Sequence, residues 1–170
     1  MQIVHFMLML FFTSSLFAKE CVVDDRIMYA IAEIEGHRDT PVGYPYLISI
    51  NSKKDKLKAK RIKELAPYFL DSRTIDCQGE SQCTSLLSIL NSNGIFNLDL
   101  GSFQINELYW KMDKRDYFNI KKSYHKACEI VMSHNKMKWS WENIAKYHSK
   151  TKSHNLKYKK YLLAKIEKQD

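Results

Sequence analysis

The residues of this chain best suited to acid–base chemistry are two glutamates near the end of a predicted helix, in Ala30-Ile31-Ala32-Glu33-Ile34-Glu35-Gly36. At about 100° per residue, Glu35 falls roughly 20° from Met28 and 40° from Ile31, on an apolar stripe with Ile27, Ala32 and Ile34. Glu33 falls roughly 160° from Glu35, on the side of Arg26, and is expected to be solvated. A carboxyl at the edge of apolar surface has its charged form disfavoured. That is the preparation a general acid needs near neutral pH. The plainer reading of Glu35 is an ordinary glutamate at a fraying helix end.

A second group of chemically useful residues is Asp99-Leu100-Gly101-Ser102-Phe103-Gln104-Ile105-Asn106, which follows the turn-rich Asn91-Ser92-Asn93-Gly94 and precedes Tyr109-Trp110. Gln104 and Asn106 set two amides two residues apart, with a glycine and aromatics close by. Amides beside aromatic rings suit a neutral ligand that carries hydroxyl and acetamide groups. A buried turn uses the same residue types, so the stretch alone leaves a sugar-binding wall and a structural turn both open.

The elements that must hold these groups are mostly helical. Cys21–Glu35 is expected to form a helix, with Asp24 and Asp25 favouring its start and Gly36 stopping it. His37–Tyr46 contains Pro41, Gly43 and Pro45 and reads as a loop, and Leu47–Ile50 as a short extended segment. Asn51–Asp55 reads as a turn. Lys56–Ala66 reads as a basic amphipathic helix ended by Pro67, its lysines a solvated face. Asp71–Cys83 reads as a polar, disulfide-closed loop, and Thr84–Leu90 as a helix ended by Asn93-Gly94. Tyr117–Asn135 reads as a helix burying Cys128. Ser140 reads as the N-cap of the next helix, which carries Ala145 to Ser149. Thr151–Asn155 reads as a break, and Tyr158–Ile166 as a last basic helix. No repeat or low-complexity linker interrupts the chain. One mainly α domain is expected, with little or no β-structure.

Met1–Ala18 carries no charged side chain and has an apolar run from Ile3 to Phe12, then small polar residues ending in Ala18. It reads as a signal peptide over residues 1–18, with residues 19–170 as the mature domain; an uncleaved anchor is the alternative. No other segment is apolar enough to span a bilayer. Four cysteines, Cys21, Cys77, Cys83 and Cys128, fit two disulfides in an oxidising compartment, with three pairings allowed. Cys77 and Cys83 enclose a short loop and are the easiest to join, which leaves Cys21 with Cys128. The formal charge of +8 suits an anionic surface such as cell-wall polymer or lipid headgroups. Scattered lysines, the lack of a recognition motif and the expected export argue against nucleic acid.

Three pieces stand in order: the helix ending at Glu35-Gly36, then Asp99–Asn106, then Ala145-Lys146-Tyr147-His148-Ser149. This order resembles the soluble lytic transglycosylases with a lysozyme-like catalytic domain, over roughly residues 21–166. It looks most like the specialised members that accompany type IV secretion systems. The resemblance implies a lysozyme-like, disulfide-stapled fold, periplasmic location, a monomer and no metal or organic cofactor. It implies peptidoglycan glycan strands as substrate and components of a secretion system as partners. Glu35 matches the catalytic acid/base, Ser49 a polar residue that hydrogen-bonds it, and Gln104 the glutamine that contacts acetamide groups. Tyr147 matches the tyrosine near the carboxyl, and Phe103 replaces a methionine on the floor of the cleft. Ser102 and His148 stand in the substrate-binding stretches where leucine and asparagine are usual, and Lys150 stands where glycine is. Residues 56–83 form an insertion relative to the shortest members, expected to be decoration or a partner-binding surface.

The implied reaction cleaves the β-1,4 bond between N-acetylmuramic acid and N-acetylglucosamine and closes a 1,6-anhydro ring. It needs a single carboxyl, and Asp99 reads as structural. A goose-type muramidase, with water as acceptor, is the nearest alternative. A non-catalytic wall-binding scaffold and a disulfide-stapled adhesin or toxin-like protein are the others.

Overall fold

The computed structural model describes residues 20–136 and 138–169, so the expected signal peptide lies outside the described residues. The first helix, α1 (Asp25–Glu35), begins where Asp24 accepts the Arg26 N–H at 2.8 Å, and it ends at Gly36. Its buried face carries Met28, Ala30, Ile31 and Ala32. The extended segment is strand β1 (Leu47–Ile50).

After β1 the chain departs from the sequence expectation. Ser52 accepts the Asp55 N–H and starts α2 (Lys53–Ala59) earlier than expected; a 3-10 segment, Lys63–Tyr68, follows and contains Pro67. Ala59 and Leu65 are both fully buried. Six residues apart, they would lie roughly 120° from each other on one continuous helix. The break between them lets both reach the core. Strand β2 (Thr74–Asp76) lies inside the stretch read as a loop, and α3 (Glu80–Ser92) starts earlier than Thr84. Strands β3 (Leu98–Leu100) and β4 (Ile105–Asn106) flank the turn at Gly101.

The remaining chain is a 3-10 turn at Asp116–Phe118, α4 (Ile120–His134), α5 (Trp141–Ile144), a 3-10 turn at Ala145–Tyr147 and α6 (Lys152–Ile166). Ser140 caps α5 as expected, accepting the Asn143 N–H. The expected break at Thr151–Asn155 is instead the first turn of α6. Buried Asn155 donates to the carbonyls of Glu142 at 2.9 Å and Ser149 at 3.2 Å, anchoring that turn to the preceding segment.

Among the described residues, six α-helices outweigh four short strands, so the chain is mainly α. The strands nevertheless join into one antiparallel sheet of order β2-β1-β3-β4, more β-structure than the sequence suggested. Its register sorts the side chains by period two. Ile75, Ile48, Leu100 and Ile105 align across the strands and join the core. Thr74, Ser49, Asp99 and Asn106 align on the opposite face, a polar row beneath the cleft described below.

Both disulfides form as read. Cys21–Cys128 ties the N-terminal segment to α4 with Cα atoms 5.8 Å apart, and Cys77–Cys83 ties the end of β2 to α3 at 4.9 Å. No described helix is long and apolar enough to cross a membrane.

Candidate active site

Glu35, the last residue of α1, stands where two lobes of one cleft meet, of about 360 and 550 Å³. Glu35, Asn51, Asp99, Gln104 and His148 line both lobes. The first lobe continues along β1 and β2 past Ser49, Arg73, Thr74 and Asp71. The second runs between β4 and the segment before α6, past Tyr109, Trp110, Tyr147 and His154. A chain-like ligand lying in both lobes would pass across Glu35.

The α1 stripe explains why the two glutamates differ. The Glu35 side chain is 13% exposed and its Oε1 is buried without a hydrogen-bond partner among the described residues. Glu33, expected to be solvated, instead pairs with Lys165 of α6 at 2.6 Å, a contact partly shielded from water. Ser49 lines the cleft from β1 but makes no hydrogen bond to Glu35 in this state.

Gly101 is required by the turn between β3 and β4. Its φ is +73°, and a Cβ there would sit 1.9 Å from the Tyr117 carbonyl oxygen. Gln104 also has positive φ, +45°, which is uncommon for a residue with a side chain. Its Nε2 donates to the Gly101 carbonyl at 2.9 Å. That bond fixes the amide and leaves its carbonyl oxygen and one N–H to offer the cleft. Asn106 donates to Asp99 Oδ1 at 2.7 Å and Asn97 Oδ1 at 3.0 Å, so its amide nitrogen braces the hairpin.

Several residues read as ligand contacts turn out to hold the frame. Ser102 is 1% exposed and donates to the Gly43 carbonyl at 2.7 Å, pinning the 37–46 loop. Phe103 is buried, its ring edge-on to Tyr124 at 5.9 Å, in the core behind the cleft. The Tyr147 hydroxyl donates to the Phe103 carbonyl at 2.6 Å, so it supports the turn while its side chain lines the second lobe. Burial holds that hydroxyl well above its ordinary pKa, so it remains a donor.

Several residues that line the site are not evident from the sequence, Arg73, Asp71, Asp99 and Trp110 among them. Arg73 and Asp71 come from the 56–83 segment, which the sequence leads one to expect as decoration or a partner surface; the segment also supplies β2 and the buried Ala59, Leu65 and Ile75. It is therefore part of the cleft wall and of the core. The sequence suggests a structural Asp99, yet the residue lines both lobes. Burial raises its pKa, against the hydrogen bond from Asn106, and Arg73 Nη2 lies 3.7 Å from its Oδ2. Its alternation with Ser49 across β1 and β3 would have placed it, had the 99–106 stretch been read as a hairpin. In the sequence Trp110 stands only as an aromatic neighbour of the 99–106 stretch, yet it lines the second lobe. Buried Tyr117 fixes it by donating to its carbonyl at 2.7 Å, burial pushing that hydroxyl up to about 12.

His148 is half exposed at 49%, with Nδ1 3.4 Å from Glu35 Oε1. The Glu35 carboxylate within hydrogen-bonding reach raises the imidazole's pKa, while burial and Arg73 oppose the rise. The site therefore combines a shielded carboxyl, a cation that can face it, a fixed amide and an aromatic wall. That set can protonate a leaving oxygen and hold an acetamido sugar beside it. No family model, curated protein or solved structure matches the chain, so the functional reading rests on these residues and their geometry.

Proposed function

We propose that the protein is a peptidoglycan lytic transglycosylase with a lysozyme-like catalytic domain. The observation that carries the reading is the position of Glu35: a shielded carboxyl at the junction of two cleft lobes, with Gln104 shared between them. Glycan would lie along the lobes with the scissile bond over Glu35 and a sugar ring toward Tyr109 and Trp110.

Protonated Glu35 donates its proton to the glycosidic oxygen, and the leaving chain departs. The 2-acetamido group of the muramic residue supports the positive centre as an internal nucleophile. Glu35, now a carboxylate, removes the C6 hydroxyl proton, and that oxygen closes the 1,6-anhydro ring. Substrate supplies the nucleophile, so one protein carboxyl suffices, unlike the two-carboxylate glycosidases. The two disulfides support action in an oxidising compartment, the periplasm on this reading, where the enzyme would open the wall locally for a secretion system.

A goose-type muramidase is the second reading, and Asp99 favours it by placing another carboxyl in the cleft. Its engagement by Asn106 and its nearness to Arg73 favour a structural role for it. Mass analysis of the products of purified peptidoglycan separates the readings. Anhydro ends support the lyase, reducing ends the hydrolase, and no cleavage the non-catalytic scaffold.

A further inference from the structure

A side groove of about 380 Å³ opens off the cleft beside His148. It shares His148 with both lobes, Ile34 with the first and His154 with the second, so it joins the cleft next to Glu35. The His148 imidazole stands between them. Its Nδ1 faces Glu35 Oε1 at 3.4 Å, and its ring stacks on Tyr158 of α6 with centroids 4.7 Å apart. His154, Lys157 and Tyr161, spaced three and four residues apart, line the groove from one face of α6. Lys157 Nζ stands 5.7 Å from the centre of the exposed Tyr161 ring, within cation–π distance. Lys159 and Lys165 of the same helix pair with Glu142 and Glu33, whereas Lys157 has no acidic partner among the described residues.

Charge separates this groove from the lobes. Glu35, Asp71 and Asp99 line the first lobe, and Glu35 and Asp99 the second. No carboxyl lines the groove, whose one permanent charge is the Lys157 ammonium. An uncharged sugar backbone suits the lobes, and an anionic branch of that backbone suits the groove. Peptidoglycan has such a branch, because the lactyl ether on C3 of a muramic residue carries a peptide that ends in carboxylates. C3 and the scissile C1 belong to one ring, so the branch must leave the cleft within one sugar of Glu35. We propose that the groove is a subsite for the stem peptide of the muramic residue at the scissile bond. Lys157 pairs with a peptide carboxylate, and Ile34 and the Tyr161 ring cover the peptide's alanine. The proposal rests on the transglycosylase reading and adds a specificity to it, peptide-bearing glycan over bare glycan.

Lys157→Gln removes the charge from an exposed position, so the variant should fold like the wild type. The paired substrates are intact glycan and glycan stripped of its peptides by an amidase. The wild type should show the higher kcat/KM on the intact glycan. Lys157→Gln should lower that preference about fivefold, mostly through KM, the scale of one charge pair open to water. An unchanged preference would overturn the assignment. A second readout needs no cleavage: NMR titration with GlcNAc–MurNAc-tripeptide and with the same disaccharide lacking the peptide. The peptide-bearing probe should shift the Tyr161 and His154 ring resonances, and Lys157→Gln should need a severalfold higher concentration for the same shift. Equal shifts from the two probes would mean that the groove reads the lactyl carboxylate, and no shift that the peptide goes elsewhere. Either result would overturn the proposal. If the wild type leaves both glycans intact, the transglycosylase reading fails, while the titration still decides what the groove binds.

Discussion

His148 Nδ1 stands 3.4 Å from Glu35 Oε1, and the two side chains sit on opposite sides of the solvent boundary, 49% and 13% exposed. The carboxylate lets the imidazole keep its proton to higher pH than an ordinary histidine. Glu35→Gln should therefore lower the His148 pKa, read by NMR titration of the ring protons. Because the folded value is raised, the pair's contribution to stability is complete below about pH 6.5 and is lost as pH rises through the His148 value. An imidazole that titrates identically in wild type and Glu35→Gln would mean that the two groups do not communicate.

Asp99 gives a prediction of opposite sign. Its folded pKa is raised, chiefly by burial, so the ionised carboxylate weakens the fold above the acid range. Asp99→Asn should raise the melting temperature at pH 7, and the gain should vanish as pH falls below about 4, where the carboxyl is protonated in both states. The amide oxygen can still accept from Asn106. On the one-carboxyl mechanism the variant alters the rate but still forms anhydro products. Loss of cleavage with Glu35 intact would instead make Asp99 the second carboxyl of a hydrolase.

Gly101 couples backbone conformation to the site. With φ at +73° and the Tyr117 carbonyl where a Cβ would go, Gly101→Ala should cost about 3 kcal/mol or more and weaken activity through misplaced Gln104. Urea denaturation checks this, and a loss under about 1 kcal/mol would mean that the turn relaxes easily.

The two disulfides close loops of different length, with sequence separations of 107 and 6. Chain entropy predicts a loss of about 5 kcal/mol for removing Cys21–Cys128 and about 2 kcal/mol for Cys77–Cys83. Paired serine variants compared by urea midpoint test the order. A larger loss for the short loop would show that its bridge acts by holding β2, and with it Arg73, in the folded state.

Much of this arrangement is legible in the sequence because it depends on local rules. The 3.6-residue period separates Glu35 from Glu33, cysteine spacing selects the bridges, and Ser140 marks its helix start. What escapes is set by distant partners. Ser102 looks like a ligand contact until the Gly43 carbonyl is found to accept its hydroxyl. Asn155 looks like a breaker until two carbonyls accept its amide. The basic run Lys56–Ala66 looks like one helix, but Ala59 and Leu65 cannot share one helix face. Strands of two to four residues carry too little alternation to reveal the polar row of Thr74, Ser49, Asp99 and Asn106.

The most direct test of the central claim is digestion of purified peptidoglycan by wild type and Glu35→Gln, read by mass spectrometry. The account predicts 1,6-anhydromuramic ends from the wild type. From a Glu35→Gln protein of equal or higher melting temperature it predicts a rate lower by about three orders of magnitude. Equal product from both proteins, or intact peptidoglycan from the wild type, would contradict it.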